Sequence, residues 1–184
     1  MNKKNSILII ANGESTLDEN YGKIINDFSN IGRINNYSID GFEKYIGNKT
    51  DIWFNGANSK LKLRPKYTSK IIVLLPSERL IKKKNILNKY VAKRLNKNDG
   101  NFHIVKLEKI RNYEKMVGHS RLTTGLYSIL WALDNYEKII IHGFDFFQNS
   151  KGHYYDNILS KTLNRFNIIE RGKKHNNTIE KKFV

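Results

Sequence analysis

Two histidines in the C-terminal third, His153 and His175, are the side chains best suited to exchange a proton near neutral pH. His153 opens the polar run His153-Tyr154-Tyr155-Asp156, and Glu180 follows His175 five residues on. By spacing alone, either histidine equally suits an exposed place in a basic, polar tail. Upstream, Thr123-Thr124-Gly125 stands where a helix should begin. Hydroxyls there can cap free backbone amides, and glycine lets a backbone approach a ligand closely. Asn12, Asn35 and Asn55 each fall at or just after the end of an apolar run. An amide carries both a donor and an acceptor, which is what a nucleobase or ribose edge needs. Taken singly, each asparagine reads as an ordinary turn residue; together, at successive strand ends, they would line one crevice. Asn12-Gly13-Glu14-Ser15 puts a glycine at the mouth of the second element, a nucleotide-binding position in doubly wound folds. With a single glycine it is no dinucleotide fingerprint. His103, His119 and His142 read as structural or solvated. Asp145 is followed by Phe146 and Phe147, with no second acid to complete an Asp-x-Asp metal site.

These residues need a scaffold that brings strand ends together. Short apolar runs predict strands over Ser6–Ala11, Ile31–Asn35, Asp51–Asn55, Lys70–Leu75 and Phe102–Val105. The run Lys138 to Ile141 suits a central parallel strand buried on both faces. Helical signals cover Tyr21–Phe28, Gly41–Gly47, Leu107–Met116 and Leu159–Phe166. One long amphipathic helix is expected over Glu78–Leu95, with Leu80, Ile81, Leu87, Val91 and Leu95 as its inner stripe. After Thr123-Thr124-Gly125, Leu126, Ile129, Leu130 and Leu133 predict a helix with one apolar face. Strands alternating with helices imply a single Rossmann-like α/β domain over residues 1–184, its mainly parallel sheet flanked by helices. In such sheets ligands bind at the carboxyl ends of the strands. The helix start at Thr123 and the polar loop beyond Asp145 would then face one cleft, suited to a phosphorylated ligand.

Bulk composition narrows the partners. Lys and Arg number 33 against 17 Asp and Glu, a net charge of +16. That charge implies an anionic partner, and nucleic acid, an anionic membrane surface and a phosphorylated substrate all qualify. A merely solvated basic surface is the plain alternative, including the lysine-rich face of Glu78–Leu95. No run of about 18 apolar residues is present, so no transmembrane helix is expected. The absence of cysteine excludes disulfides and cysteine-ligated metal, and fits a reducing, cytoplasmic setting.

The order of the local signals resembles the sialyltransferase superfamily, both its animal members and the bacterial lipooligosaccharide enzymes. The large motif is similar to IIANGES, GRINNY, GFEKYIG and NKTDIWFN, from Ile9 to Asn55. The small motif is similar to LTTGLYSILWALDNYEKIIIHGFDF, Leu122 to Phe146; HYYD (His153–Asp156) and His175 with Glu180 complete the set in sequence order. The resemblance implies a sialyltransferase-type variant of the GT-A fold. It implies inverting transfer of a sialic-acid-type sugar from a CMP-activated donor to a glycan or glycolipid hydroxyl, with no metal and no cofactor. Position by position, Asn12, Gly13 and Ser15 would meet nucleotide phosphate and ribose, and Asn35 and Asn55 the donor. Thr123, Thr124 and Gly125 would hold ribose and cytosine, and His153 and Tyr154 the departing phosphate. His175 would be the general base, Glu180 would orient the last helix, and Arg121 would add positive charge.

Three departures from the family pattern stand out. No disulfide can join the large and small motifs, and Phe147 stands where the bacterial enzymes carry a tyrosine for the phosphate. Only nine residues follow His175, so an acceptor-binding lid is expected from the lysine-rich middle if anywhere. Donors such as CMP-Kdo or a pseudaminic-type sugar would use the same nucleotide contacts. A nucleic-acid-binding module ranks second, lacking a zinc-finger or RNA-binding aromatic signature. A catalytically dead partner of another transferase ranks third. Peripheral contact with the inner face of an anionic membrane is a further expectation.

Overall fold

The computed structural model describes residues 4–62, 70–96, 101–145, 153–156 and 177–184. Six parallel strands form one sheet in the order β5-β4-β3-β2-β1-β6. They are β1 (Lys4–Ile10), β2 (Ile31–Ile34), β3 (Ile52–Asn55), β4 (Lys70–Val73), β5 (His103–Ile104) and β6 (Tyr136–His142). Helices connect them: α1 (Gly22–Asn26), α2 (Glu43–Ile46), α3 (Ser77–Lys82), α4 (Leu87–Leu95), α5 (Leu107–Val117) and α6 (Thr124–Asn135). A C-terminal helix, α7 (Asn177–Phe183), packs on α5. No helix among the described residues is long and apolar enough to cross a membrane.

β1 is apolar on both faces. Side chains alternate across a strand, so Ile7 and Ile9 enter one core with α6, while Leu8 and Ile10 enter a second with Ile25 and Ile46. Strand order runs outward from β1 through β5, then reverses to place β6 on the other side of β1. Such a reversal of strand order places the ligand crevice of a doubly wound sheet at its carboxyl edge, beside β1.

Three expectations need correcting. β6 is an edge strand rather than a central one, paired only with β1 among the described residues, and Ile141 is 38% exposed. The long helix breaks into α3, a 3-10 turn (Lys84–Ile86) and α4. Lys82-Lys83-Lys84-Asn85 offers the core no apolar side chain, and asparagine competes for backbone hydrogen bonds. Ile81 is consequently outside the inner stripe, half exposed, and Leu133 on α6 is likewise exposed rather than inward. The expected helix over Leu159–Phe166 lies outside the described residues.

A buried carboxylate ties the helices under this edge. Glu114 of α5 accepts from the Ser77 amide at the start of α3 (3.0 Å) and from the Tyr127 hydroxyl of α6 (2.6 Å). Burial alone would raise its pKa. The hydrogen bonds from Ser77, from Tyr127 and from the Arg121 backbone outweigh burial and hold it below its ordinary value of 4.5. A depressed carboxylate contributes stability above its unfolded pKa and loses it as pH falls through the folded one. Thermal melting should therefore be flat from neutrality down to pH 5 and fall below about 4.5. Glu114→Gln should blunt that acid limb and cost about 1–3 kcal/mol at pH 7. A Gln variant that melts like the parent at every pH would refute this role.

Candidate functional site

The turn after β1 sets the floor of the crevice. The Gly13 amide donates to the Gly143 carbonyl beyond β6 at 2.9 Å. A Cβ at Gly13 would stand 2.4 Å from the Asp145 Cγ and 2.6 Å from the Gly143 oxygen, so only glycine permits this approach. Asp145 accepts from the Ser15 amide at 3.2 Å and from the Ser15 hydroxyl. Ser15 thus brings its donors to the crevice already paired. Nearby, the Asn12 Nδ2 donates to the Ile34 carbonyl at 2.9 Å, joining the ends of β1 and β2.

The three asparagines do fall along one edge. Asn35 Oδ1 accepts from the Gly56 amide at 3.2 Å, and Asn55 Oδ1 from the Ala57 amide at 3.1 Å. Two of their amide atoms, Asn12 Oδ1 and Asn55 Nδ2, are buried with no hydrogen-bond partner among the described residues. A buried polar atom left unmade costs about 1–3 kcal/mol, so this edge carries an unfilled acceptor and an unfilled donor. Backbone strain gathers here too. Asn35, Ala57 and Arg121 are three of the four non-glycine residues with positive φ among those described. Such strain concentrates at functional sites.

The start of α6 closes the far side. A Cβ at Gly56 would lie 3.1 Å from the Thr124 Oγ1, and one at Gly125 would lie 3.1 Å from the Phe144 ring. The helix end therefore sits against both the β3 turn and the β6 turn. Thr123 is its N-cap, accepting from the Leu126 amide at 3.1 Å. Glu180 of α7, 1% exposed, accepts from the Thr123 amide at 2.7 Å and from the Thr123 hydroxyl. The first intrahelical bond runs from the Tyr127 amide to the Thr123 carbonyl at 3.0 Å. That leaves the Thr124 and Gly125 amides, the two that helix geometry provides with no intrahelical acceptor. A carboxylate at this helix end makes it a poor seat for a second anion. Neutral acceptors, such as a ribose hydroxyl or a base carbonyl, fit it better than the phosphate that its position suggested.

The His153–Asp156 turn packs in from the side of the second core. The Tyr154 amide donates to the Asn12 carbonyl at 3.1 Å. Its hydroxyl accepts from the Ser38 amide at 3.0 Å and donates to the Ser38 carbonyl at 2.5 Å. Its ring is buried edge-on against Phe42. Tyr154 therefore anchors the turn, with its hydroxyl already engaged by the main chain. His153 is half buried, its ring 5.3 Å from that of Tyr155 and its amide donating to Asp156 at 2.8 Å. Arg121 pairs with Glu78 at the start of α3. His142 sits beside Tyr21 with its pKa lowered by burial, partly offset by the Thr16 backbone, Asp18 and Asp145. His175 and Phe147 lie outside the described residues. No group of three or more His, Cys, Asp or Glu among the described residues is placed to hold a metal ion.

Glu114 was not singled out from sequence, and Asp145 was weighed there only as a metal ligand. Glu114 could have been, because it interrupts the inner stripe Ile110, Tyr113 and Val117 at helical spacing. The sequence carries no comparable signal for the long-range pairing of Asp145 with Ser15.

Comparison with known proteins matches the whole described span. The family model for glycosyltransferase family 29 (sialyltransferase) matches residues 4–184. A mammalian sialyltransferase crystal structure superposes with a TM-score of 0.72 at 14% identity, covering 98% of this chain and 64% of that one. A mammalian sialyltransferase in complex with Gal-beta-1-3GalNAc-ortho-nitrophenol gives 0.65 at 14% identity, with the same 98% and 64% coverage. CstII from Campylobacter jejuni, a sialyltransferase in complex with a substrate analogue, cytidine-5'-monophosphate, gives 0.56 at 18% identity, covering 100% and 75%. This chain thus spans 64% of the length of the mammalian proteins it resembles. No curated protein matches the sequence.

Proposed function

Because this chain belongs to glycosyltransferase family 29 (sialyltransferase), we propose that it transfers a sialic-acid-type sugar from a CMP-activated donor to a glycan or glycolipid hydroxyl, without a metal ion. The observation that carries this reading is the start of α6. Glu180 and the Thr123 hydroxyl take the flanking amides, leaving those of Thr124 and Gly125 against the β3 and β6 turns. Two parallel amides beside a threonine hydroxyl suit the cytosine and ribose of CMP. Asn12, Gly13, Asn35 and Asn55 line the donor's other side, with Asn12 Oδ1 and Asn55 Nδ2 supplying the unfilled acceptor and donor.

The chemistry asks for two further groups. The departing CMP gathers charge on its phosphate, and a fixed donor aimed at that charge typically contributes roughly 100- to 1000-fold in rate. His153 takes that role, on the turn that Tyr154 anchors, while Ser15 steadies the β1 turn. Arg121 adds positive charge from beyond its pairing with Glu78. The acceptor hydroxyl must lose a proton as it attacks, and His175 is the general base. In sequence it precedes α7 by two residues, and α7 is held to the site by Glu180.

Incubation with CMP-sialic acid and a panel of galactose-terminated acceptors should release CMP, and calorimetry should show CMP binding without any divalent cation. Release only from a CMP-linked eight-carbon acid or a pseudaminic-type donor would move the donor assignment and keep the mechanism. No CMP binding and no release from any CMP-linked acid would overturn the reading.

A further inference from the structure

Outside the crevice, the strongest feature is the knuckle between α3 and α4. The break of the expected helix exposes Ile81-Lys82-Lys83-Lys84-Asn85-Ile86 as a protrusion, with Ile81 and Ile86 each 50% exposed. Lys82 and Lys84 are exposed, and none of the three lysines has an ion-pair partner among the described residues. Residues 77–96 carry seven basic side chains against one acidic, and that one, Glu78, is paired with Arg121. Two half-exposed isoleucines thus bracket three lysines that have no ion-pair partner among the described residues, a mixed apolar and cationic surface.

We infer that this knuckle is a docking surface for an anionic lipid bilayer. The lysines meet the headgroup charge, while Ile81 and Ile86 enter the boundary between headgroups and acyl chains, as on interfacial helices. A nucleic acid would engage the lysines equally, but its phosphates give the isoleucines nothing to bury against. The knuckle is fixed to the active edge. On α4, the Tyr90 ring has the Lys83 ammonium and the Arg94 guanidinium each 5.5 Å from its centroid, and its hydroxyl donates to the Ala57 carbonyl at 3.2 Å. Ala57 follows Asn55 and Gly56 at the end of β3. A bilayer held by the knuckle is thereby coupled to the mouth of the crevice, the side from which a lipid-linked acceptor would arrive.

Flotation of the full chain with phosphatidylcholine vesicles, with and without phosphatidylserine, tests this without donor or acceptor, so it stands or falls separately from the transferase reading. Binding is expected only with phosphatidylserine. The triple variant Lys82→Gln, Lys83→Gln, Lys84→Gln should weaken it roughly 100-fold. The double variant Ile81→Ser, Ile86→Ser should weaken it roughly tenfold and remove what survives at high salt. Circular-dichroism melts of both variants check that the fold is kept. Equal binding to neutral vesicles, or a triple variant within about twofold of the parent, would overturn the inference. So would tighter binding to a DNA duplex that the lysine variant loses and the isoleucine variant keeps, which would assign the surface to nucleic acid.

Discussion

Replacing His175 by alanine is expected to lower kcat for CMP-sugar transfer by about 100- to 10,000-fold while leaving CMP affinity within about twofold. A sugar hydroxyl is a poor nucleophile until its proton is taken, and a base is worth most when it acts only in the transition state. The proposed nucleotide contacts lie on the turns after β1 and β3 and at the start of α6, so the loss should appear in kcat and not in donor binding. The base must be unprotonated to act. Parent activity should therefore rise with pH through a limb near neutrality, and the variant should lack that limb. A variant retaining a tenth of parental kcat, or one with the same acid limb, would remove His175 from the mechanism. Melting should stay within a degree or two of the parent, which separates this outcome from the next.

Replacing Glu180 by alanine should lower both stability and activity. The carboxylate is buried and accepts from the amide and the hydroxyl of Thr123. Hydrogen bonds to a charged group contribute about 1.5–3 kcal/mol each, and removing their shared acceptor strands two buried donors. The expected loss is about 3 kcal/mol, a fall in melting temperature of roughly 10 °C for a chain of this size. The start of α6 would lose its second cap, and α7 its tie to the site, so CMP affinity and kcat should fall together. Glu180→Gln keeps one acceptor and should recover about half the stability. A Glu180→Ala variant that melts within a degree of the parent and binds CMP unchanged would show that the cap is dispensable.

The contrast between these residues shows what the sequence discloses. β1, β3 and β4 were legible because uninterrupted apolar runs between polar turns have few other uses in a folded chain. The start of α6 was legible because hydroxyls and glycine before an apolar stripe carry a local signal. β6 was expected at the sheet centre but has one neighbour strand among the described residues, and Ile139–Ile141 reads the same in either case. The helix break at Lys83 was missed because the apolar stripe continues in phase across it. Convergence of the asparagines could be suspected only from their equivalent positions at strand ends. The capping partners were harder still, because Glu180 meets Thr123 across 57 residues and Asp145 meets Ser15 across 130. Such pairs are set by tertiary packing, and local propensity carries no trace of them.

Tyr154 clasps three stretches of chain at once: the Asn12 carbonyl, both main-chain groups of Ser38 and the Phe42 ring. The neighbouring imidazole of His153 therefore inherits its position from a rivet that is set before any ligand arrives. A dipole held in place beforehand needs no reorientation when negative charge develops beside it, whereas a mobile one would spend part of its attraction on becoming ordered. On the proposed assignment of His153 to the departing phosphate, the rivet would make that side of the crevice a preorganised surface, and its rigidity, rather than the tyrosine's own hydroxyl, would be what Tyr154 gives to the reaction.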